Sequence, residues 1–411
     1  MAEWPASVME GDYARTAACE ARASKAFTSM GGATVPANVS RVAIRVDAST
    51  RIGTGHVSRC LTLADTLARR GAAVEFVGRV LDGALHDMVE ERGYRVRRLP
   101  RDGRTPTTTD LAAPHAAWLE TDWHTDAEQT IAALAEGTQR PSWLIVDHYA
   151  LDARWQSRLR PHVGRILAID DLADRPHVAE VLLDQNYAAN QDRYTGLLPR
   201  SSRVLQGPRY AVVSDVYRDA RAALSPREGR CARWNVFFGG VDLTNETCKA
   251  LNAMTASRWR EMPVDVVVGA GNPHRAAIDE ALRSLPNATL HVQVPHLAAL
   301  FAAADLAVGA GGTSTWERCC LGVPSVLVAT ATNQMPTLEA LAAHDYIAYL
   351  GPHERASVGD YRHAFEVADD AQRLHDLSRR CMDLVDGDGA GRVADAMGFG
   401  DPLGRPTVSR A

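Results

Sequence analysis

The sequence predicts an α/β fold of two Rossmann-like domains facing each other across a cleft. Three observations predict it. A chain of 411 residues is too long for one comfortable core, so two domains of roughly 150 to 200 residues are expected. From Arg41 onward, short β-branched runs alternate with amphipathic helical stretches, the pattern of a parallel sheet covered by helices. That alternation stops at a polar segment broken by Pro226 and Gly229, and then begins again.

Residues 1–40 are rich in Ala, Ser and Glu without a period and read as a disordered extension. Alternatively, the start lies near Met30. Domain one is expected over 41–213, with strands Val42–Asp47, Ala73–Val77, Ser142–Asp147, Arg165–Asp170 and Val181–Asp184. After the first strand, Val57, Leu61, Ala64, Asp65 and Ala68 recur at helical spacing, so one stripe can lie on the sheet. Residues 214–230, polar and helical at first before Pro226 and Gly229 break the pattern, read as the interdomain connection. Domain two is expected over 231–385, with strands Arg233–Phe238, Val264–Val268, Thr289–Val292, Leu306–Val308 and Ser325–Val328, and a helix from Asn245 to about Arg258. Gly351 to Val385 looks helical, and 386–411 looks like a flexible tail. In such a pair of domains the carboxyl ends of both sheets meet at the cleft, where α/β folds place ligands.

A net charge of −5 and a pI near 6.3 give no basic field for nucleic acid or an anionic membrane, so neither partner is expected. No apolar run is long enough for a signal-peptide core or a membrane span. The seven cysteines are odd in number and lack CxxC spacing, which fits a reducing cytoplasm. Oligomeric state leaves no mark in the sequence.

Three segments carry chemistry. In Gly309-Ala310-Gly311-Gly312-Thr313-Ser314-Thr315-Trp316-Glu317, glycines let backbone approach a ligand, and Thr313 or Ser314 can cap a helix. The free amides there suit a diphosphate, and Glu317, one turn on, can accept from ribose hydroxyls; the plain alternative is a Gly-rich turn with a solvent-facing Glu. In Arg51-Ile52-Gly53-Thr54-Gly55-His56-Val57-Ser58-Arg59, Gly53 and Gly55 supply a tight turn. His56 falls at the helix start, where the positive helix end disfavours protonation and leaves a neutral imidazole able to act as a base. A helix-capping His is the alternative. Lacking the third glycine of GxGxxG, the segment departs from a strict dinucleotide motif. Third, Asp147-His148-Tyr149, Asp170-Asp171 and Asp184-Gln185-Asn186 end successive strands and converge on one cleft. Asp170, Asp171, Asp174 and His177 have the chemistry of metal ligands, but their close spacing in one turn reads as solvated loop charge.

The runs RVDASTRIGTGHVSRCLTLA (45–64), IVDHYALDARW (145–155), IDDLADRPH (169–177), LLDQN (182–186), FGG (238–240) and GAGGTSTWERCCLGVPS (309–325) occur in this order. Together they closely resemble the UDP-2,4-diacetamido-2,4,6-trideoxy-β-L-altropyranose hydrolase family of pseudaminic acid biosynthesis. The resemblance covers Arg41 to about Leu350. It implies a GT-B fold related to the lipid II glycosyltransferase MurG, with UDP held mainly by the C-terminal domain and no cofactor or metal. It further implies that Glu317 binds the ribose, that Gly311, Gly312, Thr313 and Ser314 bind the diphosphate, and that Asn333 and Gln334 bind the sugar or phosphate edge. His56 becomes the group that activates or positions water, with Asp147 and Tyr149 turned toward the sugar. Gly53, Gly55, Arg59 and Asn186 complete the substrate-side set.

Two departures stand out. Relatives typically read FGGSDPxN where this chain has FGGVDLTN (238–245), and RPEF where it has Ser214-Asp215-Val216-Tyr217. Three rivals share the UDP-sugar theme: a MurG-like transferase, a UDP-sugar-binding protein without turnover, and a hydrolysing 2-epimerase.

Overall fold

The structure, a computed structural model, describes residues 39–101, 115–137, 139–188 and 190–400. The expected N-terminal extension, up to residue 38, and the tail beyond residue 400 lie outside the described residues. The chain divides into two compact units, Met1–Leu167 and Ala168–Ala411, with the division falling inside a strand.

Strand β1 (Arg41–Val46) pairs in parallel with β2 (Ala73–Arg79) on one side and β4 (Trp143–Asp147) on the other, and β2 pairs with β3 (Arg95–Leu99). With β5 (Arg165–Ile169), β6 (Val181–Asp184) and β7 (Arg203–Gln206), the strand order is β3-β2-β1-β4-β5-β6-β7. The central β1 is buried on both faces, as parallel strands under helices must be, which is why it reads as a near-continuous apolar run. Along the helix Gly55–Arg69 the buried face is Val57, Cys60, Leu61, Leu63, Ala64 and Leu67. The expected stripe is therefore rotated: Asp65 sits at its flank, accepting from the Tyr94 hydroxyl at 2.6 Å and from Arg92 at 2.9 Å.

The second unit carries β8 (Trp234–Phe237), β9 (Val264–Val268), β10 (Ala288–Val292), β11 (Leu306–Ala310), β12 (Ser325–Ala329) and β13 (Ala348–Pro352), in the order β10-β9-β8-β11-β12-β13. The pairings are parallel. Trp234, Met254, Tyr361 and Phe365 fill one of its cores, and Phe301, Trp316, Leu327 and Leu338 fill another.

Several expectations change. Strands β3, β7 and β13 were not foreseen, and β13 takes Gly351 and Pro352 out of the helical run expected there. All three are sheet edges, covered on fewer sides than a central strand, so their sequences (RVRRL, RVLQ, AYLGP) carry little apolar signal. The expected connection begins with its helix, Asp215–Arg221, but it is packed rather than free: Tyr217 is buried, and Arg227 donates to the carbonyls of Phe301, Ala302, Ala304 and Leu321. The expected tail holds a helix, Gly389–Ala396, whose Val393 and Ala394 are fully buried. Small residues there allow close backbone approach, a packing that apolar periodicity does not reveal.

Candidate active site

In the first unit a tight turn leads from β1 to the helix that carries His56. Ser49 Oγ accepts from the amides of Arg51 (3.2 Å) and Ile52 (3.1 Å), and Gly53 N donates to the Ser49 carbonyl at 2.9 Å. Gly53 holds φ +81°, a conformation that strains residues bearing a side chain. The helix begins at Gly55, which puts His56 in its first turn.

His56 does not stand alone as a cap. Its Nδ1 lies 2.6 Å from Asp147 Oδ1, at the end of β4, and Arg59, one turn along the helix, grips the same carboxylate with Nε–Oδ2 and Nη2–Oδ1 distances of 2.6 Å each. Burial opposes ionisation of Asp147, yet the charge of Arg59 and the contact with His56 hold its carboxyl well below the usual carboxylate range. An ionised carboxylate only accepts, so Nδ1 carries the proton and Nε2 is left as the basic nitrogen. Asp147 and Arg59, 1% and 4% exposed, thus face His56 and each other. Their side chains position the imidazole.

Aromatic rings enclose it. Tyr149 meets His56 edge-on at 4.7 Å between centroids and 80°, Trp118 does so at 6.4 Å and 84°, and His115 lies 4.6 Å from Trp118 and 5.2 Å from Tyr149. Trp118 comes from a single helical turn, Ala116–Leu119, closed by Glu120 in the left-handed conformation (φ 51°).

Beneath this group lies a buried ionic lattice. Arg45 spans Asp47 (2.6 and 2.9 Å) and Asp126 (2.7 Å), Arg79 joins Asp126 at 2.7 Å, and Trp155 Nε1 donates to Asp126 at 2.9 Å. His148 Nδ1 accepts from Ala150 N at 3.1 Å, so its proton sits on Nε2, 3.3 Å from Asp47. Burial pushes the His148 pKa down, leaving the ring neutral.

In the second unit the Gly-rich turn follows β11 as expected. Gly311 N donates to the Val328 carbonyl at 3.1 Å, so this amide serves the sheet; those of Gly312, Thr313 and Ser314 donate to no described residue. Gly311 is required for space, since a Cβ there would collide with Leu338. Thr313 stands at the cap position of the helix Ser314–Cys320, but neither it nor Ser314 makes a side-chain cap. Glu317 is half-buried rather than solvent-facing, and burial, against the neighbouring Tyr217 hydroxyl and Arg318, pushes its pKa up to about 7. The Tyr217 hydroxyl accepts from Leu297 N at 3.1 Å.

Gln334 Oε1 accepts from Thr330 N at 2.9 Å, closing the turn that also carries the half-buried Asn333. Asn186, beyond β6, donates its amide to Asp184 at 3.0 Å. Of the loop charges expected near Asp170, Asp174 is exposed and Asp171 half-buried, but Asp170 and His177 are buried: Asp170 pairs with Arg175 at 2.7 Å, accepts from the Tyr194 hydroxyl at 3.1 Å and faces His177. Among the described residues no group of three or more His, Cys, Asp or Glu could hold a metal ion. Asp184, with Arg193 3.6 Å away, has its pKa raised to about 7 by burial.

No family model matches the chain. It is 23% identical over 310 residues to the UDP-2,4-diacetamido-2,4,6-trideoxy-β-L-altropyranose hydrolase of Campylobacter jejuni, an alignment covering 74% of this chain and 97% of that protein. The chain resembles that hydrolase family. It is also 27% identical over 143 residues to the spore coat polysaccharide biosynthesis protein SpsG of Bacillus subtilis, covering 34% of this chain and 42% of SpsG. Among solved structures, MurG of Acinetobacter baumannii superposes with a TM-score of 0.62 at 14% identity, covering 87% of this chain and 99% of that one. The calicheamicin glycosyltransferase CalG4 does so with a TM-score of 0.55 at 17% identity, covering 90% and 100%. The fold is of the GT-B type.

Of the expected residues, His56, Asp147, Tyr149, Arg59, Gly53 and Gly55 gather in the first unit, and Gly311–Ser314 with Glu317 gather in the second. Sequence reasoning missed Trp118, His115 and Tyr217. The first two sit on a short turn without period. Tyr217 lies in the polar stretch taken as a connection, where a single aromatic among charges was the one available signal.

Proposed function

We propose that this protein is an enzyme that hydrolyses a UDP-linked amino sugar, UDP-2,4-diacetamido-2,4,6-trideoxy-β-L-altropyranose, to UDP and the free sugar, as a step in pseudaminic acid biosynthesis. The observation that carries the reading is the His56–Asp147–Arg59 group, which holds an imidazole in place through its Nδ1 and leaves its Nε2 outside that contact. A glycosyl diphosphate already has a good leaving group, so catalysis requires an aimed water and a stabilised departing anion. In this mechanism water attacks the anomeric carbon while its proton passes to His56 Nε2; the C1–O bond breaks, its electrons leave with UDP, and the centre inverts. Imidazole is the side chain most often used for such a base near neutrality. Asp147 stabilises the imidazolium that forms. The amides of Gly312, Thr313 and Ser314 receive the diphosphate and Glu317 the ribose.

Two findings support this reading: the ordered motifs, and the near-complete coverage of the Campylobacter hydrolase. A transferase is the second reading, favoured by the likeness of the fold to glycosyltransferases. The two part on one measurement: incubation of the purified protein with the UDP-diacetamido sugar and no acceptor, following UDP. Stoichiometric UDP and free sugar are expected; UDP appearing only when an acceptor is supplied would make the protein a transferase.

A further inference from the structure

Arg318 is a buried cation that forms no ion pair with a described carboxylate; the adjacent Glu317, whose carboxyl burial keeps partly protonated, compensates it only in part. Its side chain is 1% exposed and runs from the helix Ser314–Cys320 back under the end of β11. Nη2 donates to the Ala310 carbonyl at 2.7 Å and reaches Thr315 Oγ1 at 3.4 Å, while the guanidinium lies 5.7 Å over the Phe301 ring. Nε and Nη1 are buried with no hydrogen-bond partner. Among the described residues no carboxylate forms an ion pair with it.

Other buried arginines show what is missing. Arg45 is saturated by Asp47 and Asp126, and Arg227 by backbone carbonyls. A buried charge left unpaired destabilises a fold, so its retention asks for a partner absent from the chain itself. A Cβ at Gly309 would collide first with the Phe237 carbonyl and would also lie 2.9 Å from Nη1, so the glycine that lets the strands pair leaves room for the guanidinium as well. Burial lowers its pKa only to about 10, so it is cationic at neutral pH. The carbonyl it holds belongs to the residue immediately before Gly311, which places the charge directly behind the Gly-rich turn. In a poorly polarisable interior such a charge is weakly screened and acts beyond contact distance.

We infer that Arg318 is the counter-charge for the diphosphate of a nucleoside diphosphate ligand, acting through its field from behind the Gly311–Thr313 turn. It is a positioning residue. This rests on the proposed reading of that turn as the nucleotide cradle. The incompletely compensated cation makes affinity depend on the ligand's negative charge more than on its base or ribose.

The test is calorimetric titration of the full chain and of Arg318→Met, Arg318→Gln and Arg318→Lys with UDP and with uridine, which lacks the phosphates. The neutral variants should lose roughly tenfold or more in UDP affinity, the scale of one charge–charge interaction across a few ångströms of protein. Uridine affinity should hold within about threefold, and Arg318→Lys, which keeps the charge, should retain most of the preference for UDP over uridine. Either neutral variant suffices if the other fails to fold. Should neither fold, the Lys variant decides: loss of its UDP preference overturns the inference. Equal losses for UDP and uridine, or unchanged UDP affinity in a folded neutral variant, also overturn it while leaving the cradle in place. A wild-type protein that binds neither ligand removes the cradle reading, and this inference with it.

Discussion

Removing the imidazole of His56 tests the proposed base directly, because Asp147 and Arg59 remain to hold each other. Turnover in His56→Asn should fall by about two to four orders of magnitude, the usual range for general acid–base groups, with UDP affinity unchanged in calorimetry. Near-normal turnover in the folded variant would move the role to another group; Asp147, wholly engaged by Arg59, is poorly placed to inherit it. Glu317 makes the complementary prediction. Its loss in Glu317→Ala should cost about 1.5 to 3 kcal/mol of UDP affinity, the scale of hydrogen bonds to a charged group, and leave chemistry at the anomeric carbon untouched. With its pKa at about 7, Glu317 is partly protonated at neutrality, whereas ribose hydroxyls donate best to the carboxylate. UDP binding should therefore expel a proton and tighten as pH rises through 7. The phosphate itself titrates near about 6 in the same sense, so the decisive quantity is the part of the slope that Glu317→Gln abolishes. His56, Asp147 and Glu317 were legible because glycines and strand ends mark such places. That Asp147 and Arg59 serve His56 was not legible, since pairing across 91 and 88 positions depends on how strands register.

At the level of elements, the central strands were legible and three of the four sheet edges were not. Val264–Val268 and Val181–Asp184 announce themselves because burial on both faces demands apolar, β-branched residues. Arg95–Leu99 has only two buried positions among five and reads as charge. The helix Gly389–Ala396 was hidden for a different reason: its contact is made by backbone. A Cβ at Gly389 would collide with the Ala211 carbonyl, and Arg392 ties the helix to the Arg209 carbonyl at 2.8 Å. Gly389→Val should consequently destabilise by about 1 to 3 kcal/mol through forced backbone displacement, read as a fall in urea midpoint at constant m-value. A frayed tail at this place would tolerate valine without any shift.

For the molecule as a whole, the buried carboxyl groups shape how stability depends on pH, and they do so in two opposite directions. Asp47, Asp147 and Asp170 are buried, which alone would raise their pKa values, but Arg45, Arg59 and the Arg175–His177 pair hold them low. A depressed carboxyl adds stability that is present above the ordinary carboxylate range and is lost as pH falls through and below it. His148, kept neutral by burial, acts in the same direction, because the unfolded chain takes up its proton below about 6.5. Asp184 and Glu317 act oppositely. Both are raised to about 7 by burial, so the folded chain holds protons that the unfolded chain has released; their contribution is full below the ordinary carboxylate pKa and is lost as pH rises through 7. The ligand-free protein should therefore be most stable at mildly acidic pH, with a melting temperature that declines as pH rises from about 5 through 7 and levels off by about 8. Replacing both groups, in Asp184→Asn with Glu317→Gln, should flatten that alkaline decline while leaving the acid side intact, because Asp47, Asp147 and Asp170 are untouched. Thermal melts across this range check it. A decline of the same slope in the double variant would mean that neither carboxyl holds its proton in the folded chain, and that the pH dependence of UDP binding assigned to Glu317 has another origin.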